Sequence, residues 1–107
     1  MPAPTLEEVT ASLGDDVTAT PETIAEAYAE EVAAQAAVCR TLTEDEIATY
    51  PANLAGALRR RVAVNIAFRA LPLAAAATLP DPATPTGVAA DPEVRRLEGP
   101  YRRVIFG

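Results

Sequence analysis

The stretch Pro51–Leu71, PANLAGALRRRVAVNIAFRAL, constrains the fold of this chain more than any other. At 100° per residue, Leu54, Leu58, Val62 and Ile66 fall along one stripe of a helix, while Ala57, Val64, Phe68 and Leu71 fall along a second. A helix apolar on two sides needs two sets of neighbours. In a short chain one set comes from the chain itself, and the spacing predicts that the other comes from a second copy or a partner. Pro51 suits the first helical position, whereas the ring of Pro72 would clash with the carbonyl of Phe68 and stops the helix there. Gly56 inside the helix costs about 1 kcal/mol relative to Ala and predicts a close helix crossing.

With 107 residues, one such helix and its neighbours make a single domain with a modest core. Half of the residues are hydrophobic, many of them Ala, with only three Tyr and two Phe. That balance favours closely packed helices, so the expected class is all-α, a small bundle around one long central helix. Residues 1–72 would form the bundle, and residues 73–107 a loop or arm, a short helix and an extended C-terminal tail. No segment has the roughly 18 to 20 apolar residues of a membrane span, and the N-terminus has no basic and apolar leader, so a soluble protein with no membrane partner is expected.

The chain has no histidine and one cysteine, Cys39, which excludes an internal disulfide and paired-cysteine metal motifs and removes the commonest general base. No catalytic, cofactor-binding or metal-binding residue is nominated, and an enzyme is not expected. Net charge is −6 and unevenly placed. Residues 1–46 hold eleven acids against Arg40, whereas residues 47–107 hold eight Arg against four acids. Such a lengthwise dipole either neutralises itself within the fold or draws copies together front to back, the heterologous contact that closes into rings.

The signals along the chain are mostly helix starts. Thr5 with Glu8 forms a capping-box signature for a first helix that ends at Gly14, with Leu6, Val9 and Leu13 facing one way. Thr20 and Pro21 open a second, running to about Arg40, in which Ile24, Tyr28, Val32, Gln35, Ala36 and Cys39 share a face. Cys39 is read there as a small core residue. Opposite stands a ridge of Glu22, Glu26 and Glu30, either plainly solvated, or paired with cations of another subunit, or lining a channel. Thr43 with Glu46 starts a short helix to about Tyr50, anchored by Ile47 and Tyr50.

Arg59, Arg60 and Arg61 resemble a nucleic-acid patch in one dimension, but successive helical residues point 100° apart, so the three fan out. Salt bridges to the acidic first half, within or between subunits, are the preferred expectation, with solvent and DNA phosphate as alternatives. Arg69 points nearer to Arg61 than to the other two and is a candidate to share its acidic partner. Phe68, on the second apolar stripe, is assigned with these charges to packing between subunits.

From Pro72 to Asp91, five Pro and Gly punctuate Ala, Thr and Asp, which predicts a long loop with at most one helical turn over Ala74–Ala77. Asp91 and Pro92 then open a brief helix with Val94 and Leu97 inward, stopped by Gly99 and Pro100. Beyond it, Tyr101, Arg102, Arg103, Val104, Ile105 and Phe106 are apolar, β-prone and basic, too short to fold alone, and are expected to dock on a partner or a neighbouring subunit.

Two stretches carry a family resemblance: ALRRRVAVNIAFRALPL and DPEVRRLEGPYRRVIFG. They resemble the head-to-tail connector, or adaptor, proteins of long-tailed actinobacterial phages, within the wider phage head-tail connector family. The likeness covers roughly residues 42–71 and 91–107, and the segment from Leu73 to Ala90 is short for the family. The resemblance implies a structural virion protein of the neck, assembled in the host cytoplasm. Its helical subunits would form a ring, typically dodecameric, beneath the portal, extend the channel through which double-stranded DNA passes, and present a platform to a stopper or other tail-side protein. The alternative is a small helical regulatory or DNA-binding protein, which requires a coherent basic face.

Overall fold

A computed structural model of the chain describes residues 3–14, 19–69, 88 and 91–103. The described residues are mostly helical, with no strand among them, and form an all-α bundle. In order come α1 (Leu6–Leu13), α2 (Pro21–Val38), α3 (Glu44–Ala48), α4 (Ala52–Arg69) and α5 (Pro92–Glu98), which passes into a 3₁₀ turn over Gly99–Tyr101.

Side chains that satisfy free backbone N–H groups set the helix starts. Thr5, Thr20, Thr43 and Asp91 each accept from a backbone N–H in the first turn of the helix that follows. At Thr43 the box is reciprocal, because Glu46 also accepts from the Thr43 N–H at 2.9 Å. At Thr5 it is half formed, since the Glu8 carboxylate accepts from the Thr5 hydroxyl instead. Gly14 ends α1 at φ 76°, a conformation costly for a residue with a Cβ.

The central helix is α4, about 27 Å long at 1.5 Å per residue. Its first stripe is buried as expected: Leu58, Val62 and Ile66 pack with Val9 of α1 and Ile24 and Ala27 of α2, and Leu54 is buried too. Its second side is covered at the N-terminal half by the chain's own α5, not by another copy. Ala57 and Val94 are fully buried, and Leu97 lies against Gly56. A Cβ at Gly56 would stand 3.7 Å from Leu97 Cδ1, an ordinary contact, so the crossing does not require glycine. Further along the same side Phe68 remains 39% exposed.

Two helices are turned differently from the expectation. On α2 the buried positions are Ile24, Ala27, Glu31 and Gln35, while Val32 is 40% exposed. The face is rotated because Glu31 finds a cation and an amide inside the bundle and is stabilised there. On α3, Ile47 is no anchor at 62% exposure; only Tyr50 turns inward, where its hydroxyl donates to Gln35 at 3.2 Å.

Candidate functional site: a buried ion network beside an apolar cleft

Four charged or amide side chains are buried where α2, α4 and α5 meet: Glu31, Gln35, Arg61 and Glu98. Arg61, 4% exposed, grips the fully buried Glu98 with two parallel bonds, Nε to Oε2 at 2.5 Å and Nη2 to Oε1 at 2.8 Å. Its remaining Nη1 reaches Glu31 Oε1 at 3.2 Å. The fork geometry of guanidinium allows one residue of α4 to hold acids from two helices at once. Asn65, one turn along α4, donates to the other Glu31 oxygen at 2.7 Å. Gln35 donates to Glu98 at 3.0 Å and to the Leu54 carbonyl at 3.2 Å, and Arg102 donates to Glu98 at 3.2 Å.

The two acids therefore face two cations, Arg61 and Arg102, and the cluster is neutral. Burial pushes the Glu98 carboxyl up, but the bonds from Arg61 and Gln35 and the charges of Arg61 and Arg102 outweigh it and leave the group below its ordinary value. Burial likewise pulls the Arg61 guanidinium down, and its bonds and charge interactions with Glu98 and Glu31 more than reverse this. The Arg102 Nε is buried without a hydrogen-bond partner among the described residues.

The C-terminal strand-like segment closes this cluster from one side. Arg40 N–H donates to the Tyr101 carbonyl at 2.8 Å, Arg103 N–H donates to the Val38 carbonyl at 2.9 Å, and Cys39 and Arg102 form an antiparallel bridge. Arg103 Nε also donates to the Cys39 carbonyl at 3.0 Å. The Arg40 guanidinium lies over the Tyr101 ring, 5.4 Å from its centre, and holds Glu46 in a bidentate pair at 2.8 and 2.9 Å. That pair draws the Glu46 carboxyl down to about 2. Tyr101, Arg102 and Arg103, expected at a partner, thus spend their described backbone bonds on the end of their own α2. The physical reason is that the Gly99–Tyr101 turn redirects the chain towards carbonyls that the terminus of α2 leaves open. Val104, Ile105 and Phe106 lie outside the described residues, as does nearly all of the expected loop.

Beside Arg103 opens an apolar cleft of about 330 Å³, walled by Tyr28, Val32, Ala36, Cys39, Tyr50 and Leu54. Burial, followed by the nearby Glu98 charge, pushes the Cys39 thiol up, which keeps it in the unreactive protonated form.

The other nominated charges fall as follows. Arg60 pairs with Asp91 of the second half, not with the acidic first half, at 3.1 Å. Arg59 makes no ion pair with a described residue, and Glu22 is an exposed acid likewise without one. Glu26 and Glu30 have their cation in the same chain: Arg69 pairs with both, and its Nε donates to Asn65 at 2.6 Å. Arg61 and Arg69 thus reach adjacent acids of α2, Glu31 and Glu30, without sharing one.

Glu31, Asn65 and Glu98 were not singled out from the sequence, and Gln35 was placed on the inward face of α2 but given no polar role. Their signal is register: Glu31 stands seven residues after Ile24, Arg61 seven after Leu54 and Glu98 four after Val94, all core positions. Acids on two helices and an Arg on a third, each at core spacing, are the one-dimensional mark of such a network. Among the described residues no group of acids or cysteine is placed to hold a metal ion, and no helix is long and apolar enough to cross a membrane. No protein-family model, curated protein or solved structure matches this chain.

Proposed function

We propose that the chain is a structural subunit of a phage neck, a head-to-tail adaptor that packs into a ring between portal and tail-side stopper and extends the DNA channel. One observation supports this above the others: the two stretches on which the family resemblance rests meet each other in the buried network. Arg61 of ALRRRVAVNIAFRALPL grips Glu98 of DPEVRRLEGPYRRVIFG, and Arg60 pairs with Asp91 at the start of the same stretch. Residues that look like a family signature therefore hold the fold together, as a scaffold protein with no reaction to perform requires. Surfaces for neighbours are available in Ile47 and Phe68 and in the acids Glu22, Glu44 and Asp45, all exposed.

The regulatory or DNA-binding alternative needs a flat basic face. Of the Arg triplet, Arg61 is buried and Arg60 is paired, so neither offers a free cation to phosphate. The deciding experiment is genetic. A phage lacking this chain should accumulate DNA-filled heads without tails, restored by supplying the chain in trans. Normal particles from such a phage would remove the adaptor assignment.

A further inference from the structure

We infer that residues 98–103 form a strap that holds α3 on the bundle, so that strap and α3 open as one unit while α1, α2 and α4 stay folded. The short helix α3 has five residues and buries none of them, so packing gives it little hold. Two side-chain anchors between described residues tie its ends instead. At its start the Arg40 guanidinium grips the Glu46 carboxylate at 2.8 and 2.9 Å, and the same carboxylate accepts from the Thr43 N–H at 2.9 Å to close the capping box. Just past its end the Tyr50 hydroxyl donates to Gln35 Oε1 at 3.2 Å.

The strap positions both anchors. Arg40 lies over the Tyr101 ring, 5.4 Å from its centre, and its N–H donates to the Tyr101 carbonyl at 2.8 Å. Arg103 fastens the strap to the two residues before Arg40, through the carbonyls of Val38 at 2.9 Å and Cys39 at 3.0 Å. Gln35 gives its Nε2 to Glu98 Oε2 at 3.0 Å and to the Leu54 carbonyl at 3.2 Å, of which the bond to the carboxylate is the shorter and the charged one. An amide so placed has only its oxygen left to offer, and that turns Oε1 towards Tyr50. Lifting the strap removes the ring under Arg40 and the carboxylate beside Gln35 together, and α3 loses what orients its hold at both ends. Ile47, Glu44 and Asp45, exposed on α3, therefore share their order with the strap, and a partner that takes up residues 101–103 also releases them. The inference concerns the isolated subunit and does not rest on the adaptor reading.

The test is amide hydrogen exchange of the isolated full chain, read residue by residue by NMR. The reporters are Ile47 and Thr49, whose N–H groups donate to Thr43 and Asp45 within the α3 region, and Arg103, whose N–H donates to Val38 from the strap. Val62, fully buried on α4, is the reference for the bundle. Tyr101→Ala should speed exchange at Ile47 and Thr49 about twofold to fivefold, the worth of one exposed cation–π contact, with Val62 unchanged. By reciprocity of coupling, Glu46→Gln should speed exchange at Arg103 about twofold or more, a change that a merely local role of Glu46 in capping α3 would not produce. Unchanged rates at Ile47 and Thr49 in Tyr101→Ala, or at Arg103 in Glu46→Gln, would overturn the inference. Open-chain exchange at Ile47 and Thr49 in the wild type would overturn it too, as would equal acceleration at Val62, which would make the opening global.

Discussion

Replacing Arg61 by Met keeps most of the volume and helix propensity at the centre of α4 and removes one guanidinium. Glu98, fully buried, then retains Arg102 and Gln35, while Glu31, 6% exposed, retains only Asn65, and the two carboxylates are left with one cation between them. Breaking a buried pair by removing one partner costs about 3–5 kcal/mol. A domain of this size has about 5–15 kcal/mol to lose, so the melting temperature should fall by more than about 12 °C. The pH dependence carries the sharper signature. In the wild type the Glu98 pKa lies below its unfolded value near 4.5, so its stabilisation is present above that pH and is lost as pH falls through the lower folded value. Without Arg61 the burial of Glu98 remains while its strongest lowering partner is gone, so its carboxylate gains less from rising pH. The deficit of Arg61→Met should therefore be largest at pH 7 and shrink towards pH 4, and Arg61→Met with Glu98→Met should recover part of the loss at pH 7. Urea melts followed by far-UV circular dichroism at both pH values measure this. A deficit under about 1 kcal/mol, or one independent of pH, would refute the electrostatic account of the cluster.

Gly56→Ala should stabilise the protein by up to about 1 kcal/mol, because the new Cβ meets Leu97 at an ordinary contact distance inside a helix; a lower urea midpoint would show that the crossing is tighter. Ile66→Ala should cost about 2–5 kcal/mol as a buried truncation, whereas Phe68→Ala, at an exposed site, should cost under about 1 kcal/mol and act on assembly, if on anything. Equal thermal losses in the isolated subunit would mean that both positions are internal. Glu26→Arg with Glu30→Arg removes the acids from Arg69, an exposed cluster, so unfolding midpoints should move little while any effect appears in ring formation. A large loss of subunit stability would give that cluster a structural role.

The helix starts were legible because capping chemistry is local: Thr20, Thr43 and Asp91 each accept from an N–H two or three residues ahead, and Pro stands at the first turn of α2 and α5. The buried stripe of α4 was legible too, since Leu58, Val62 and Ile66 need nothing beyond period. The rotation of α2 was not. Hydropathy puts Val32 inside and Glu31 outside, and the reversal depends on Arg61, thirty residues away. Ile47 misled for the converse reason, as a five-residue helix offers too little length for its period to choose a side. The tail shows the limit of backbone accounting from sequence. The need of Tyr101–Arg103 for hydrogen-bond partners was evident, whereas their identity, the residues around Cys39, is a property of the turn at Gly99–Tyr101.

The adaptor assignment meets its most direct test in native mass spectrometry of the purified chain, alone and mixed with the portal of the phage that carries it. The account predicts a closed homo-oligomer of one stoichiometry, dodecameric on the family resemblance, formed on the portal. A chain that stays monomeric with portal and binds duplex DNA with sequence preference would contradict it.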